Sequence, residues 1–492
     1  MSAHIRTYNG RNGAALRIAL VYMATGLVVF LLMGLLGLLM RLNHAGIVVL
    51  PAYWFYRIMT LHGSAMVAAS LLAAMGGLVA VLSPSVRLSP RLLWTVFVVY
   101  FLGAGFVIIA TLLGGFAAGW TVMHPLPYEA KGAWSLWAAL AMYVGYLFIA
   151  VAFLLYCLNI LYGTGAAYGG LRKALAWDYL FSGGRDTSSP LPRPAEIAAT
   201  VVAVDGVITV VCGAIYLIPL FAEAAGLVGR VDTLFAKNFL FLFGHTLANL
   251  NIYLAAALVY AQLPLYTGRE WKTTWPVVLA LNAVIIMVLL PYFHHLYQDF
   301  AQPLPFHVLG QIGSYGVAIP AFLVTILGGL SLIHRSGFRW SVPSILIAFG
   351  FWGWTFGGMG AVLDSTIWIN QVMHNTLWVP AHFHSYYMLG AVAFAWAYLY
   401  HITSELSGVQ ETRLSRTMAW LYGVGGAAFL VTFFLSGAKS IPRRYAVHIP
   451  EWQVLARITV PFVIVLGVGI GWLAIEMLAR LRSAWKRTTV TT

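Results

Sequence analysis

Apolar residues run along this chain in blocks of roughly twenty or more, separated by short polar or basic stretches. A helix rises about 1.5 Å per residue, so a block of that length crosses the hydrocarbon of a bilayer. Twelve such blocks are readable, near residues 14–40, 57–83, 92–118, 134–162, 196–221, 236–264, 274–291, 304–333, 341–363, 371–400, 415–437 and 452–480. The pattern predicts an all-α integral membrane protein with twelve transmembrane helices and a single domain over residues 1–492. The first block is too long for a signal-peptide core and lacks a small-residue cleavage site, so it reads as a helix.

Composition agrees with lipid as the solvent. The chain is 61% hydrophobic and 9% charged, whereas a soluble domain carries roughly a quarter of its residues as charges. A large soluble α-protein is thereby excluded. The net charge of +14 is spread unevenly over the predicted loops. One side carries Arg6, Arg11, Arg17, Arg87, Arg91, Arg172, Lys173, Arg185, Arg193, Arg269, Lys272, Arg335, Arg339, Arg413, Arg416, Arg480, Arg482, Lys486 and Arg487. The other carries Arg41, Arg57, Lys131, Arg230, Lys237, Lys439, Arg443, Arg444 and Arg457. Nineteen against nine places both termini in the cytoplasm by the positive-inside rule. These basic residues lie in short loops between spans, which argues against nucleic acid as a partner.

Cys157 and Cys212 both fall inside predicted helices and read as small apolar residues. The sequence has no CxxC pair and no CxxCH haem-attachment site. Gly165 to Pro194 is the longest predicted cytoplasmic loop.

Histidines supply the chemistry. His4, His44, His334 and His401 lie near predicted ends or loops, but others sit at membrane depth. A polar group in hydrocarbon costs several kcal/mol unless satisfied, so an intramembrane histidine is a functional candidate. A single one is as readily explained by a hydrogen bond to a backbone carbonyl. Six placed as follows are not. His62 opens the second span in TLHGSAMVAAS, where Gly63 allows a bulky group close to the backbone. His382 and His384 share the tenth span in VPAHFH, two residues or about 200° apart, so their rings leave opposite sides of one helix. One helix can then ligate two planar cofactors, one per flank, and a bis-His haem would draw its second ligand from another helix, such as His62.

The remaining three are His245 in FLFGHTLANLNIYL and the adjacent pair His294 and His295 in LLPYFHHLYQDF. Adjacent residues on a regular helix diverge by about 100°, so the pair suits a bent helix end, and Pro291 is placed for one. Three imidazoles suit copper or zinc. The stretch between Asn238 and Tyr266 holds no acid, which disfavours a carboxylate-rich iron site. In the loop GAKSIPRRYAVHIPEW, Arg443 and Arg444 offer two guanidinium forks that suit carboxylates such as haem propionates.

Five motifs then stand in order: LHG in span two, FGH in span six, HH after span seven, HNTLWVPAHFH into span ten and PRRY before span twelve. In this order the chain resembles subunit I of the haem–copper oxidase superfamily over essentially its whole length. The HNTLWVPAHFH and FHHLYQDFAQP forms are most similar to the B-type branch. The resemblance implies twelve helices in three arcs and a place in a bacterial or archaeal cytoplasmic membrane. It implies that His62 and His384 ligate a low-spin haem, b-type or a-type, and that His382 is the proximal ligand of a high-spin haem. It further implies one copper ion on His245, His294 and His295, with Arg443, Arg444 and His374 near the propionates.

The sequence departs from that pattern at one position. Most oxidases of the superfamily carry a tyrosine four residues after the first copper ligand, and here that residue is Asn249. Reducing O2 in one step takes four electrons, one of which that tyrosine supplies together with a proton. Tyr253 and Tyr292 are the nearest substitutes in sequence, and neither matches a known placement. Nitric oxide reduction, 2 NO + 2 e⁻ + 2 H⁺ → N2O + H2O, needs only the two electrons that iron and copper hold, and Asn249 could hydrogen-bond bound NO. The expectation is a copper-containing nitric oxide reductase. The alternative is a cytochrome c oxidase reducing O2 to water with a displaced tyrosine or none.

For protons, span eight offers Gln311, Ser314, Tyr315 and Thr325, which with Tyr260 read as a weak path, although such hydroxyls also bond their own backbone. Asp205, mid-span in VVAVDGVITVV, reads as a proton relay. The chain has no Cys-rich dinuclear copper motif. Electrons are therefore expected through a small partner subunit with a cupredoxin or cytochrome c domain, fed by a soluble cytochrome c or copper protein. A twelve-span secondary transporter with histidine proton relays is the competing class, and it predicts a colourless protein.

Overall fold

The computed structural model describes residues 13–126 and 129–490, with side chains as far as Trp485. His4, Arg6 and Arg11, and the side chains of Lys486 and Arg487, lie outside the described residues. Among the described residues there is no β-strand, only an isolated bridge between Thr376 and Pro442. The long helices are α1 (Gly13–His44), α2 (Ala52–Leu82), α3 (Pro90–Ile108, extended by a π-turn Ile109–Leu113), α4 (Leu136–Tyr168), α5 (Pro194–Ala224) and α6 (Thr233–Thr267). They continue with α7 (Trp275–Met287), α8 (Leu304–Ala321, then a π segment Phe322–Leu327 and Gly328–Ile333) and α9 (Val342–Asp364). Last come α10 (Trp378–His384, a π segment Ser385–Ala391, then Val392–Ser407), α11 (Arg413–Ala438) and α12 (Pro450–Val490).

Local chemistry sets these boundaries. The Ser89 hydroxyl accepts from the backbone N–H of Leu92, and Pro90 fills the first helical position of α3. The Asp232 carboxylate accepts from Phe235 N–H at 2.7 Å to start α6. At the far end of α6, Gly268 takes φ +65°, a left-handed turn that a side chain would resist.

Among the described residues, ten helices are long and apolar enough to cross a membrane. The two other expected spans exist in altered form. The block read as 274–291 is helical only through Met287, after which Pro291–Leu296 forms a 3₁₀ turn carrying the adjacent histidines. The block read as 371–400 is not continuous. A short helix, Ile367–Met373, ends before α10 begins at Trp378. The intervening residues are held by the loop before α12, through Leu377 N–H to Ile441 O and Arg443 N–H to Asn375 O, each 2.9 Å.

Loop contacts fall on two faces. On one, Asn43 bonds Ala446, Gln298 bonds Asn370 and Lys237 pairs with Asp299. On the other, Ser85, Tyr168 and Arg193 converge on Glu196, Thr273 bonds Pro192 and Arg269 bonds His334. The protein is thus a multi-pass membrane bundle. The first face is called distal below. The Val392–Tyr400 stretch of α10 is buried on every side and forms the centre of the bundle.

Candidate metal centres

The six expected ligands arrive on four elements, and one cavity of about 1780 Å³ collects them all. Its wall includes His62, His245, His294, His295, His374, His382, His384, Asn249, Arg443 and Arg444.

His62 on α2 and His384 on α10 face each other, with ring centroids 6.4 Å apart and planes within 16° of parallel. Each Nδ1 is bound to a backbone carbonyl, Met33 O at 2.8 Å for His62 and Pro380 O at 2.6 Å for His384. That leaves both Nε2 atoms for a ligand between the rings. Two metal–imidazole bonds of about 2.0 Å each, plus the ring radii, span roughly such a gap. The His62 ring has room because residue 37 is glycine, where a Cβ would stand 2.8 Å from His62 Cε1. Gly63 has a different neighbour from the one its position suggested. The indole of Trp120 lies against it, with Cδ1 2.9 Å from where a Cβ would be.

His382 leaves the other flank of α10, as the two-residue spacing requires. Its ring stands edge-on to Tyr386, 6.4 Å between centroids, and its Nδ1 is buried with no hydrogen-bond partner. The π segment begins at Ser385, directly after both histidines.

The third group is compact. His245 on α6 and His294 and His295 on the 3₁₀ turn bring one donor atom each within 4.8 Å of the others. Among the described residues no other set of three or more His, Cys, Asp or Glu side chains does so. The 3₁₀ turn lets neighbouring rings converge, with the His294 and His295 centroids 4.2 Å apart. His294 Nδ1 bonds the Ser314 hydroxyl at 2.9 Å. Asn249, one turn after His245, places its amide nitrogen 3.0 Å from His245 Nε2 and 2.9 Å from His245 O. The Asn249 amide thus lies against the His245 ring at Nε2.

Arg443 and Arg444 reach the cavity from the distal loop, and among the described residues neither has an ion-pair partner within 4.0 Å. Burial pushes the Arg443 guanidinium down to about 10, and Arg444 beside it acts in the same direction. His374 lines the same cavity, near Asn370. Asp364 acts on Arg443 only from beyond ion-pair distance, so the two cationic forks keep room for an anionic ligand.

The sequence model of the family described as Cytochrome C and Quinol oxidase polypeptide I matches residues 17–470. The chain belongs to that family. It is 24% identical over 262 residues to cytochrome c oxidase subunit 1 of Thermus thermophilus, covering 49% of this chain and 47% of that one. It is 25% identical over 240 residues to the cytochrome c oxidase polypeptide 1 of Halobacterium salinarum, covering 48% and 40%. These matches span less than half the length of either relative. A solved haem–copper terminal oxidase dimer superposes with a TM-score of 0.80 at 18% identity, over 95% of this chain and 84% of that one. The fold is therefore that of the membrane subunit I.

Family membership implies haem and copper, and the residues fit them. The paired imidazoles, the unpartnered His382 and the acid-free histidine triad each present nitrogen donors to one shared cavity. The anticipated proton path divides in two. Tyr260 and Thr325 share a buried hydrogen bond of 2.6 Å, but Ser314 holds His294, Gln311 accepts from Ile367 N–H and Tyr315 bonds Thr366. Ser314 and Thr325 are about 16 Å apart along α8. Tyr292 does not line the cavity; its hydroxyl donates to Asn238 at 3.3 Å. Tyr253 does line it, edge-on to Trp354.

Two wall residues escaped the sequence reading. Arg41 looked like a span-end base, yet it is 6% exposed, stacked 4.5 Å over Phe433, with Nη1 unpartnered. Asp364 closes α9 with Oδ1 buried and unpartnered. Neither carries a sequence signal beyond standing at the end of an apolar run.

Proposed function

We propose that this chain is the catalytic subunit of a respiratory haem–copper oxidoreductase that reduces nitric oxide to nitrous oxide. Electrons arrive from a cytochrome c or cupredoxin domain on a partner subunit. They pass through a low-spin haem on His62 and His384 to a centre formed by a high-spin haem on His382 and a copper ion on His245, His294 and His295. Arg443, Arg444 and His374 hold the propionates. When bound, iron and copper together supply the two electrons that 2 NO + 2 H⁺ require.

One observation carries the choice of substrate. The position that would hold a redox-active tyrosine is Asn249, and its amide is bonded to His245 Nε2 at 3.0 Å. An amide cannot give up the electron and proton that single-step O2 cleavage takes from a phenol, but it can hold the ligand ring in place. Asn249 thus acts mainly as a positioning residue.

A second reading, reduction of O2 to water, rests on Tyr253, which lines the same cavity two turns from His245. The test is turnover of the purified complex with a reduced donor, with NO and O2 supplied in separate runs. Stoichiometric N2O with slow O2 uptake supports the first reading. Rapid O2 consumption with little N2O selects the second.

A further inference from the structure

The distal end of α2 carries a cation that the metal cavity does not use. Phe55, Met59 and His62 line that cavity, whereas Tyr53, Trp54 and Arg57 do not. Tyr53 and Trp54 precede Arg57 by four and three residues, so the three share another face of the helix. The Arg57 guanidinium stacks over both rings, 5.5 Å from the Tyr53 centroid and 5.2 Å from that of Trp54. It also lies against Gly115, where a Cβ would stand 2.6 Å from Nη2 and where φ is +75°. The guanidinium is thus firmly seated. Yet among the described residues it has no hydrogen-bond acceptor and no acid within 4.0 Å. Neighbouring distal arginines differ, since Arg230 pairs with Glu129 and Arg457 bonds Ala45 O and Gln453.

Depth says what surrounds this cation. The 31 residues of α2 span about 46 Å, against roughly 30 Å of bilayer hydrocarbon. Centred in the bilayer, the helix projects about 8 Å at each end. Arg57 follows Ala52 by five residues, about 7.5 Å, and so stands where hydrocarbon meets headgroups. The adjoining surface is apolar. Leu112 and Leu113 end the π-turn of α3 just before Gly115, and Leu113 is 77% exposed. Trp137 closes the other side, its Cη2 2.9 Å from where a Cβ on Gly114 would be. Tyrosine and tryptophan around such a cation suit the interfacial layer.

A guanidinium fork at this depth matches two oxygens of a phosphate, and the exposed leucines beside it match an acyl chain. With no acid beside Arg57, nothing there receives the cationic group of a zwitterionic headgroup. We propose that Arg57 binds the phosphate of an anionic phospholipid in the distal leaflet. Tyr53 and Trp54 flank the headgroup, and an acyl chain runs along Leu112 and Leu113. The site is separate from the metal cavity and does not depend on what that cavity reduces.

The experiment strips lipid from the purified complex with detergent, adds back phosphatidylglycerol or phosphatidylcholine, and counts retained lipids by native mass spectrometry. Arg57→Gln should retain one phosphatidylglycerol fewer per chain than wild type. Arg57→Lys, which keeps the charge and loses the fork, should hold it several-fold less well. Equal retention by wild type and Arg57→Gln overturns the proposal. Phosphatidylcholine held by wild type as firmly as phosphatidylglycerol overturns it too. Inorganic phosphate serves as the competitor, and its displacing the lipid would mark a free-anion site and overturn the lipid assignment. If Arg57→Gln fails to accumulate, the wild-type preference decides: several-fold firmer retention of phosphatidylglycerol supports the site, and equal retention overturns it.

Discussion

Asn249 stands one helical turn after His245 and holds its ring from behind, amide nitrogen to Nε2 at 3.0 Å. The same amide nitrogen also donates to the His245 carbonyl, so one atom of Asn249 touches both the ring and the backbone of His245. Outer partners of this kind fix a ligand's orientation, and their loss typically costs 10–100-fold in metal affinity or activity. Asn249→Ala should therefore lower copper content or turnover by about that factor, measured by metal analysis and N2O production. Asn249→Tyr restores a phenol at this position, and a rise in O2 reduction relative to NO reduction is the expected outcome. Unchanged copper and turnover in Asn249→Ala would remove the positioning role.

Gly37 sets the place of the His62 ring, since a Cβ there would lie 2.8 Å from Cε1. The ring cannot simply swing away, because its Nδ1 is fixed to Met33 O. Gly37→Val should displace the ring and abolish the low-spin haem spectrum, as His62→Ala does, while the high-spin spectrum persists. His382→Ala should give the opposite pattern. A Gly37→Val protein with both spectra intact would contradict this geometry.

What could be read without the structure depended on distance along the chain. His382 and His384 announced themselves as polar rings in an apolar run, and helical geometry alone sends them to opposite flanks. His294 and His295 were legible as a bent pair because Pro291 precedes them. The break before Trp378 was not, because it depends on backbone bonds to Ile441 and Arg443 more than sixty residues away. Arg41 was misread for a similar reason. A base at the end of an apolar run reads as solvent-facing until Phe433 and the histidine-lined cavity are seen to enclose it.

Asp205 is fully buried in α5, and both carboxylate oxygens lack a hydrogen-bond partner. It does not line the metal cavity. Its backbone carbonyl serves Thr209, but its side chain serves nothing in hydrogen-bond range. An unpaired buried polar group costs about 1–3 kcal/mol, and an apolar side chain of similar volume removes that cost. Asp205→Leu should therefore raise the thermal midpoint of the purified protein by a few degrees. Turnover should be retained, since no partner is in place to pass a proton. A large fall in turnover in both Asp205→Leu and Asp205→Asn would return this residue to the proton path.

Tyr260 and Thr325 offer the reverse case, a buried polar pair that is satisfied. The two hydroxyls are 2.6 Å apart, Thr325 is 1% exposed, and Tyr260 packs edge-on against Trp271. Replacing one partner leaves the other unsatisfied in the interior, whereas replacing both removes the demand. Tyr260→Phe and Thr325→Val should each destabilise by about 1 kcal/mol, and the double variant by less than their sum. The pair also lies on the side of the cavity away from the distal loops, where protons drawn from the other face would pass. Each single variant should then slow proton-coupled turnover to a similar degree, with haem content unchanged. Additive stability losses with normal turnover would mark the two hydroxyls as independent and structural.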